Sequence, residues 1–489
     1  MRLWIAVFLR CLPLDALRPH WPRDPRPFAV LEHERVAALT PGARRAGVRP
    51  GMRRAGAAAI APQVELLARA PLAEAEARQG AALALLQYTP DVAPGPDEAS
   101  ILLNVSASLM CFGGPRALHR RVAATLAALD LRASLGMAPT ATGAWLLARA
   151  PVRHPRRTLT LASLARRLDA LPLGLLPQAR ARQDWLQAIG CGTLADLRAL
   201  PRAGLQRRSA PELLQALDAA YGDAAEAHRW IEAPPAFSRR VELMDYVEHT
   251  HAALAVAGRL AEQLSGWLSA RRLAVRRVTV RLEHERGRRA CPPTSIELAL
   301  AQPVWQAAQI LHLLQERLGR VTLQAPVIAL ALDAPDTVAQ PEASACLFPE
   351  PGGAAADQAR LLDLLAARLG RERVRRARPV ADHRPEIANA WAEAQAPAAS
   401  PPSLPGPLDR PFWLLETPQP LTLAGHRPQY RGQPLRLMRG PERLESGWWD
   451  AALTVRDYFV AEDGAGARYW IYRERDAARA RWFLHGLYA

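Results

Sequence analysis

The chain has 489 residues, too many for one hydrophobic core, and 49% of them are hydrophobic. Its formal net charge is +16 and all 63 basic residues are arginine, with no lysine; that excess favours a polyanionic partner, nucleic acid ahead of membrane, although GC-rich coding alone also enriches arginine, alanine and proline. No apolar run is long enough for a membrane-spanning helix, and the five cysteines (Cys11, Cys111, Cys191, Cys291, Cys346) have no C-x-x-C spacing, which argues against zinc, against a disulfide framework and for the reducing cytoplasm.

The first block runs to about residue 155. Leu3 to Arg10 is an apolar strand rather than a signal peptide, because Arg10 and Asp15 interrupt it and no small-residue cleavage site follows. Strands are predicted at Phe28 to Leu31 and Arg35 to Leu39, followed by the glycine-punctuated segment Pro41 to Met52. A second apolar strand, Ala99 to Ser106, comes after the turn signal Pro94-Gly95-Pro96, which places Asp97 and Glu98 in a loop. A helix from Pro115 to about Leu129, a strand from Arg132 to Pro139 and a helix from Thr142 to Arg149 complete a β-α alternation of α+β type.

Residues 156–234 read as all-helical. Two glycine hairpins lie inside: Leu186 to Leu197, turning at Gly190 and Gly192, and the weaker Leu200 to Leu205, followed by Arg207 and Arg208. Amides at such a hairpin can face a phosphate, and an ordinary tight helical turn has the same sequence.

Residues 235–335 show a βαββαβ rhythm: strand Arg239 to Tyr246, helix Thr250 to Ser269, strand Val275 to Glu283, strand Thr294 to Leu300, helix Val304 to Leu318, strand Val327 to Leu332. In the third element Val278, Val280 and Leu282 alternate with Arg277, Thr279, Arg281 and Glu283, so one face is apolar and the other charged. Arg276, Arg277, Arg281, Arg288 and Arg289 are the natural phosphate contacts if that face meets nucleic acid; otherwise it is a solvated charged face.

Residues 336–355 are a Pro/Ala/Gly linker holding Ser344, Cys346, Leu347 and Phe348; the Leu-Phe pair is a docking peptide or a packing anchor. Residues 356–409 hold a helix, the basic run Arg371 to Arg378 and a second linker. Residues 410–489 form an aromatic-rich module of short strands. There Trp448 and Trp449 are core or an interface anchor, and His485 is aromatic-core packing rather than a general base.

The order of these blocks resembles the Y-family (translesion) DNA polymerases: palm and fingers (1–155), helical thumb with helix-hairpin-helix units (156–234), little finger (235–335), plus a small C-terminal module (410–489) that active members lack. The segment Ala43-Arg44-Arg45-Ala46-Gly47-Val48 resembles the family's "A-R-x-x-G-V", which makes Arg44 the remnant of a triphosphate contact or a solvent-facing arginine. The metal-binding carboxylates of the two palm strands fall on Ala6 and on Ala99-Ser100, with Asp97-Glu98 two residues early, and Trp145 stands where a lysine is usual. Phosphoryl transfer needs clustered carboxylates to hold two metal ions. The resemblance therefore implies no catalytic residues, no metal and no cofactor; the alternative is a divergent active polymerase recruiting Asp97, Glu98 and Asp15. The tail strings Gly440 to Asp450, Arg456 to Phe459 and Trp482 to Ala489 are similar to the catalytically inactive branch of the family, found in a bacterial damage-inducible mutagenesis cassette. That branch implies a nucleoid-associated scaffold that binds primer–template DNA, the sliding clamp (through residues 344–348, similar to "Q-x-x-L-F"), a RecA-like accessory protein and an error-prone C-family polymerase.

Overall fold

The computed structural model describes residues 2–208, 211–285, 291–341, 355–394, 410–450, 452–475 and 481–488. The chain forms two compact units, Met1–Arg360 and Leu361–Ala489.

The first unit opens with β1 (Trp4–Leu9) and α1 (Leu12–Leu17), then β2 (Phe28–Glu32), β3 (Arg35–Leu39), α2 (Pro41–Arg45), α3 (Arg54–Ile60) and β4 (Glu65–Ala68). Strand β2 pairs antiparallel with β3 and parallel with β4, giving a small sheet with its own core of Ala29, Leu31, Val36, Val48 and Ala57. Helix α4 (Pro71–Leu85), β5 (Val92–Pro94), β6 (Ser100–Asn104), α5 (Pro115–Ala128), β7 (Ala133–Ala138) and α6 (Ala141–Arg149) follow. The second sheet has the order β5-β6-β1-β7, all antiparallel. Strand β1 is apolar throughout because both faces are covered: Ala6 is buried under α6, and Ile5 and Val7, pointing the other way, are buried too. Helix α6 lies directly on β7. A Cβ at Gly136 would stand 1.9 Å from the Ala144 carbonyl oxygen, so only glycine permits that approach.

Six short helices come next: α7 (Leu161–Asp169), α8 (Pro177–Arg180), α9 (Gln183–Ala188), α10 (Leu194–Ala199), α11 (Arg202–Arg208) and α12 (Pro211–Tyr221). Thr160 and Thr193 cap α7 and α10 with their side chains. Their leucines, Leu164, Leu168, Leu186, Leu194 and Leu217 among them, join Ala6 and Trp145 in one continuous core.

The last part of this unit is β8 (Ser238–Val247), α13 (Thr250–Arg271), β9 (Leu273–His284), β10 (Thr294–Val304), α14 (Ala307–Leu318) and β11 (Val327–Ala339), with sheet order β10-β9-β11-β8. The βαββαβ reading holds, with two corrections at its edges. Strand β10 continues to Val304, so its helix starts at Ala307 rather than Val304. Strand β11 continues to Ala339, inside the expected linker, because the long β9 offers ladder partners as far as Leu273 opposite Ala339.

Helix α15 (Ala355–Leu369) leads into the second unit. The basic run divides between a 3-10 turn at Arg371–Arg373 and strand β12 (Arg375–Pro379), which pairs with β13 (Asn389–Glu393). Strands β14 (Trp413–Ala424), β15 (Arg427–Tyr430), β16 (Gln433–Pro434), β17 (Arg436–Ser446), β18 (Thr454–Glu462), β19 (Arg468–Glu474) and β20 (Trp482–Leu487) make a seven-stranded antiparallel sheet, ordered β16-β15-β14-β20-β19-β18-β17.

Candidate functional site

Two of the residues matched to a metal cradle, Ala6 and Ser100, meet on one face of the β5-β6-β1-β7 sheet. Ala6 is paired with Leu102 on one side and Gly136 on the other, and Phe8 with Ser100, so Ala6 and Ser100 share that face. Both are 0% exposed. Trp145 of α6 covers them, and its Nε1–H is shared between Ser100 Oγ and Asp97 Oδ2, each at 3.1 Å. Ala99 ends the preceding loop and its N–H donates to Asp97 Oδ1 at 3.0 Å. Packing of Ala6, Leu102 and Trp145 thus fills this face of the sheet.

The nearby acids are engaged elsewhere. Asp97 is held by Trp145 and lies 3.5 Å from an Arg149 guanidinium nitrogen, and that guanidinium stacks over Phe8 and Trp145. Burial pulls the Arg149 pKa down, opposed by the Asp97 charge. Glu98 points away to Arg69 at 3.2 Å. Asp15 is buried on α1, where Trp21 Nε1, the Arg132 amide and the Arg132 guanidinium all donate to it, at 2.8, 2.8 and 2.6 Å. Burial pushes its carboxyl up despite those donors. Among the described residues no three His, Cys, Asp or Glu side chains cluster in a way that could hold a metal ion. Arg44 sits on α2 with its side chain exposed.

The glycine hairpin between α9 and α10 is exposed at its tip, with Gly190 at positive φ. Its amides are already used. Gly190 N–H donates to Gln187, Cys191 N–H to Leu186, and Gly192 and Thr193 N–H to the Asp196 carboxylate at 3.0 and 2.9 Å. Those hydrogen bonds hold the Asp196 carboxyl below the usual range. A phosphate at this tip would have to displace Asp196, a residue the sequence reading overlooked although Thr193 followed by Asp196 has capping-box spacing. Of the second hairpin, Arg202 is clamped by Asp218 at 2.6 Å, Gly204 lies within α11, and the side chains of Arg207 and Arg208 lie outside the described residues.

On the β10-β9-β11-β8 sheet, Arg277 and Arg281 face outward as the alternation predicts, each beside an acid: Arg277 Nε lies 3.2 Å from Glu297 and Arg281 2.9 Å from Asp333. Arg276 is exposed at the irregular end of the β9–β10 ladder. Arg288 and Arg289 lie outside the described residues, as do Ser344, Cys346, Leu347 and Phe348.

In the second unit the aromatic strings divide into core and surface. Tyr458 stacks on Trp470 at 4.0 Å, and its hydroxyl meets His485 Nδ1 at 2.9 Å in a buried cluster. Burial lowers the His485 pKa to about 4, so the ring is neutral near pH 7, and burial raises the Tyr458 pKa. Asp457, also buried, receives Arg443 at 3.1 Å and Arg473 at 3.0 Å. Burial opposes its ionisation, but these arginines outweigh it and hold its pKa below the ordinary range. Trp448 and Trp449, by contrast, are 76% and 54% exposed, so they are not core. Their loop is anchored from behind: Arg384 reaches Asp450 at 2.5 Å and Asp382 at 2.8 Å and lies over the Trp449 ring. Gly447 has φ +83°, and a Cβ there would lie 2.5 Å from the Arg384 guanidinium. The sequence reading did not single out Arg384, because no local pattern there points to a partner 66 residues on.

Residues 16–149 match the model of the impB/mucB/samB (IMS) family. The chain is 28% identical over 435 residues to Protein ImuB from two strains of Caulobacter vibrioides, covering 82% of this chain and 91% of theirs. Among solved structures it is similar to an insertion ternary complex of Dbh DNA polymerase (17% identity, 69% of this chain and 100% of that one, TM-score 0.38) and to DinB from Sulfolobus solfataricus (17%, 70% and 100%, TM-score 0.38).

Proposed function

We propose that this ImuB-like chain is a non-catalytic, DNA-binding scaffold of damage-induced, error-prone translesion synthesis. The observation that carries the reading is the sheet face at Ala6 and Ser100, sealed by Trp145, with Asp97 engaged by Trp145 and Arg149. Two-metal phosphoryl transfer requires carboxylates and an open cleft at that place. The basic balance of the chain supports a DNA partner. The sliding clamp is assigned to the segment with Leu347 and Phe348. The RecA-like accessory protein and the C-family polymerase are assigned to the second unit, whose exposed Trp448 and Trp449 suit interface anchors.

A primer-extension assay with magnesium or manganese tests the central reading. No template-dependent addition is expected; addition that disappears in Asp97→Ala overturns it in favour of a divergent polymerase. For the clamp, Leu347→Ala with Phe348→Ala should abolish binding while the thermal transition stays unchanged; undiminished clamp affinity rejects that assignment.

A further inference from the structure

The open face of the β10-β9-β11-β8 sheet is the surface on which a polymerase-like hand would track a duplex backbone. Register decides which side chains share it. Ala331 pairs with both Arg240 and Arg281, Thr279 pairs with both Glu297 and Asp333, and Glu283 lies opposite Ala329. Among the described side chains the face therefore carries three arginines, Arg240, Arg277 and Arg281, against the carboxylates of Glu242, Glu283, Glu297, Asp333 and Asp336, the last opposite Arg277. Each arginine has its own acid: Arg240 meets Glu283 at 2.9 Å and Glu242 at 2.7 Å, Arg277 meets Glu297, and Arg281 meets Asp333. The chain as a whole is strongly basic, yet among the described side chains this face carries five carboxylates against three guanidinium groups.

The energetics follow from where the pairs sit. All three arginines are about half exposed, so breaking any one pair costs little, typically under about 1 kcal/mol. The carboxylate, however, stays in place when the guanidinium turns to a phosphate, and it then repels that phosphate across a few ångströms. An arginine already neutralised by an acid also releases fewer counterions when DNA arrives, which removes much of the usual entropic gain.

We infer that this sheet face is a weak, readily released duplex surface, and that Glu283, Glu297 and Asp333 set its affinity by competing with phosphates for Arg240, Arg277 and Arg281. This rests on the DNA-binding reading above and deepens it: a scaffold that presents a primer end to another enzyme must let go of it. The tight contacts then belong to other basic parts of the chain.

The experiment measures binding of a short primer–template duplex to the full chain across a salt series. The variant Glu283→Gln/Glu297→Gln/Asp333→Asn should bind about tenfold tighter near 0.1 M salt, and its plot of log affinity against log salt should steepen by roughly two to three. In the unaltered chain, Arg277→Ala with Arg281→Ala should weaken binding less than about threefold. Circular dichroism confirms the fold of the triple variant. Should that variant not fold, Glu297→Gln alone, at an exposed pair, should still raise affinity about twofold. A folded variant that binds no tighter, or an arginine pair whose loss removes most of the binding, overturns the inference. Primer extension by the unaltered chain would instead remove the scaffold reading and leave this result standing on affinity alone.

Discussion

The sheet face around Ala6 and the core around Tyr458 treat buried polar groups in opposite ways. Around Ala6, Leu102, Gly136 and Trp145 pack without charge, and Asp97 sits at the rim, held by an indole and an arginine. Around Tyr458, by contrast, Asp457 and His485 are both 1% exposed, and each has a partner: two arginines for the first, a tyrosine hydroxyl for the second. Burial of an ionisable group is tolerated where its partners are built in and avoided where they are not. The face around Ala6 and Ser100 is closed by small and aromatic side chains, and the second unit uses its buried Asp457, His485 and Tyr458 as structure.

Four measurements can break or sharpen that contrast. The largest effect is expected from Ala6→Asp, which places an unpaired carboxylate under Trp145. It should cost about 4 kcal/mol or prevent folding, and should restore no nucleotide addition. A denaturant titration showing a tolerated aspartate would mean that the face is open after all. Next is Asp457→Ala, which leaves Arg443 and Arg473 without their shared acceptor. A loss of about 3 kcal/mol in the stability of the second unit is expected, and a thermal melt unchanged from the parent would contradict the structural role.

The third is a pH effect. His485 has its pKa lowered to about 4 in the fold against an ordinary 6.5. Between those values the unfolded chain takes up a proton that the folded one refuses, so stability falls as pH drops from 6.5 towards 4 and levels off below, by at most about 3 kcal/mol. Asp457, with its pKa lowered, loses its contribution only at more acidic pH. Melting temperature followed against pH should flatten between 6.5 and 4 in His485→Phe; an undiminished slope assigns the effect to another group. The smallest change is expected from Trp448→Ala with Trp449→Ala. Both side chains are exposed, so stability should move by under about 0.5 kcal/mol, while capture of the polymerase or accessory partner, followed by pull-down, should fail. Undisturbed capture would remove the pair from the interface.

Much of the architecture is written in the chain. The apolar run at β1, the period-two alternation of β9 and the glycine hairpins are local signals, carried by residues close in sequence, and they fix the element types and the block order. The absence of an acid at Ala6 is equally plain. The sequence could not say that Asp97 pairs with Arg149, that Asp196 accepts from the hairpin amides, or that Arg384 anchors the loop of Trp448 from a segment 66 residues away in the chain. Nor did the alternation of β9 reveal that each outward arginine meets an acid. Glu297 and Asp333 come from other strands, and only the ladder register brings them alongside.

By itself, then, the sequence determined the elements, their order and which positions lack a carboxylate, because propensity and hydrophobic period are set within a few residues. The tertiary structure alone decided which charges neutralise one another, which amides are already taken and which tryptophans face water. Those outcomes depend on distances of about 3 Å between residues far apart along the chain, and only packing sets such distances.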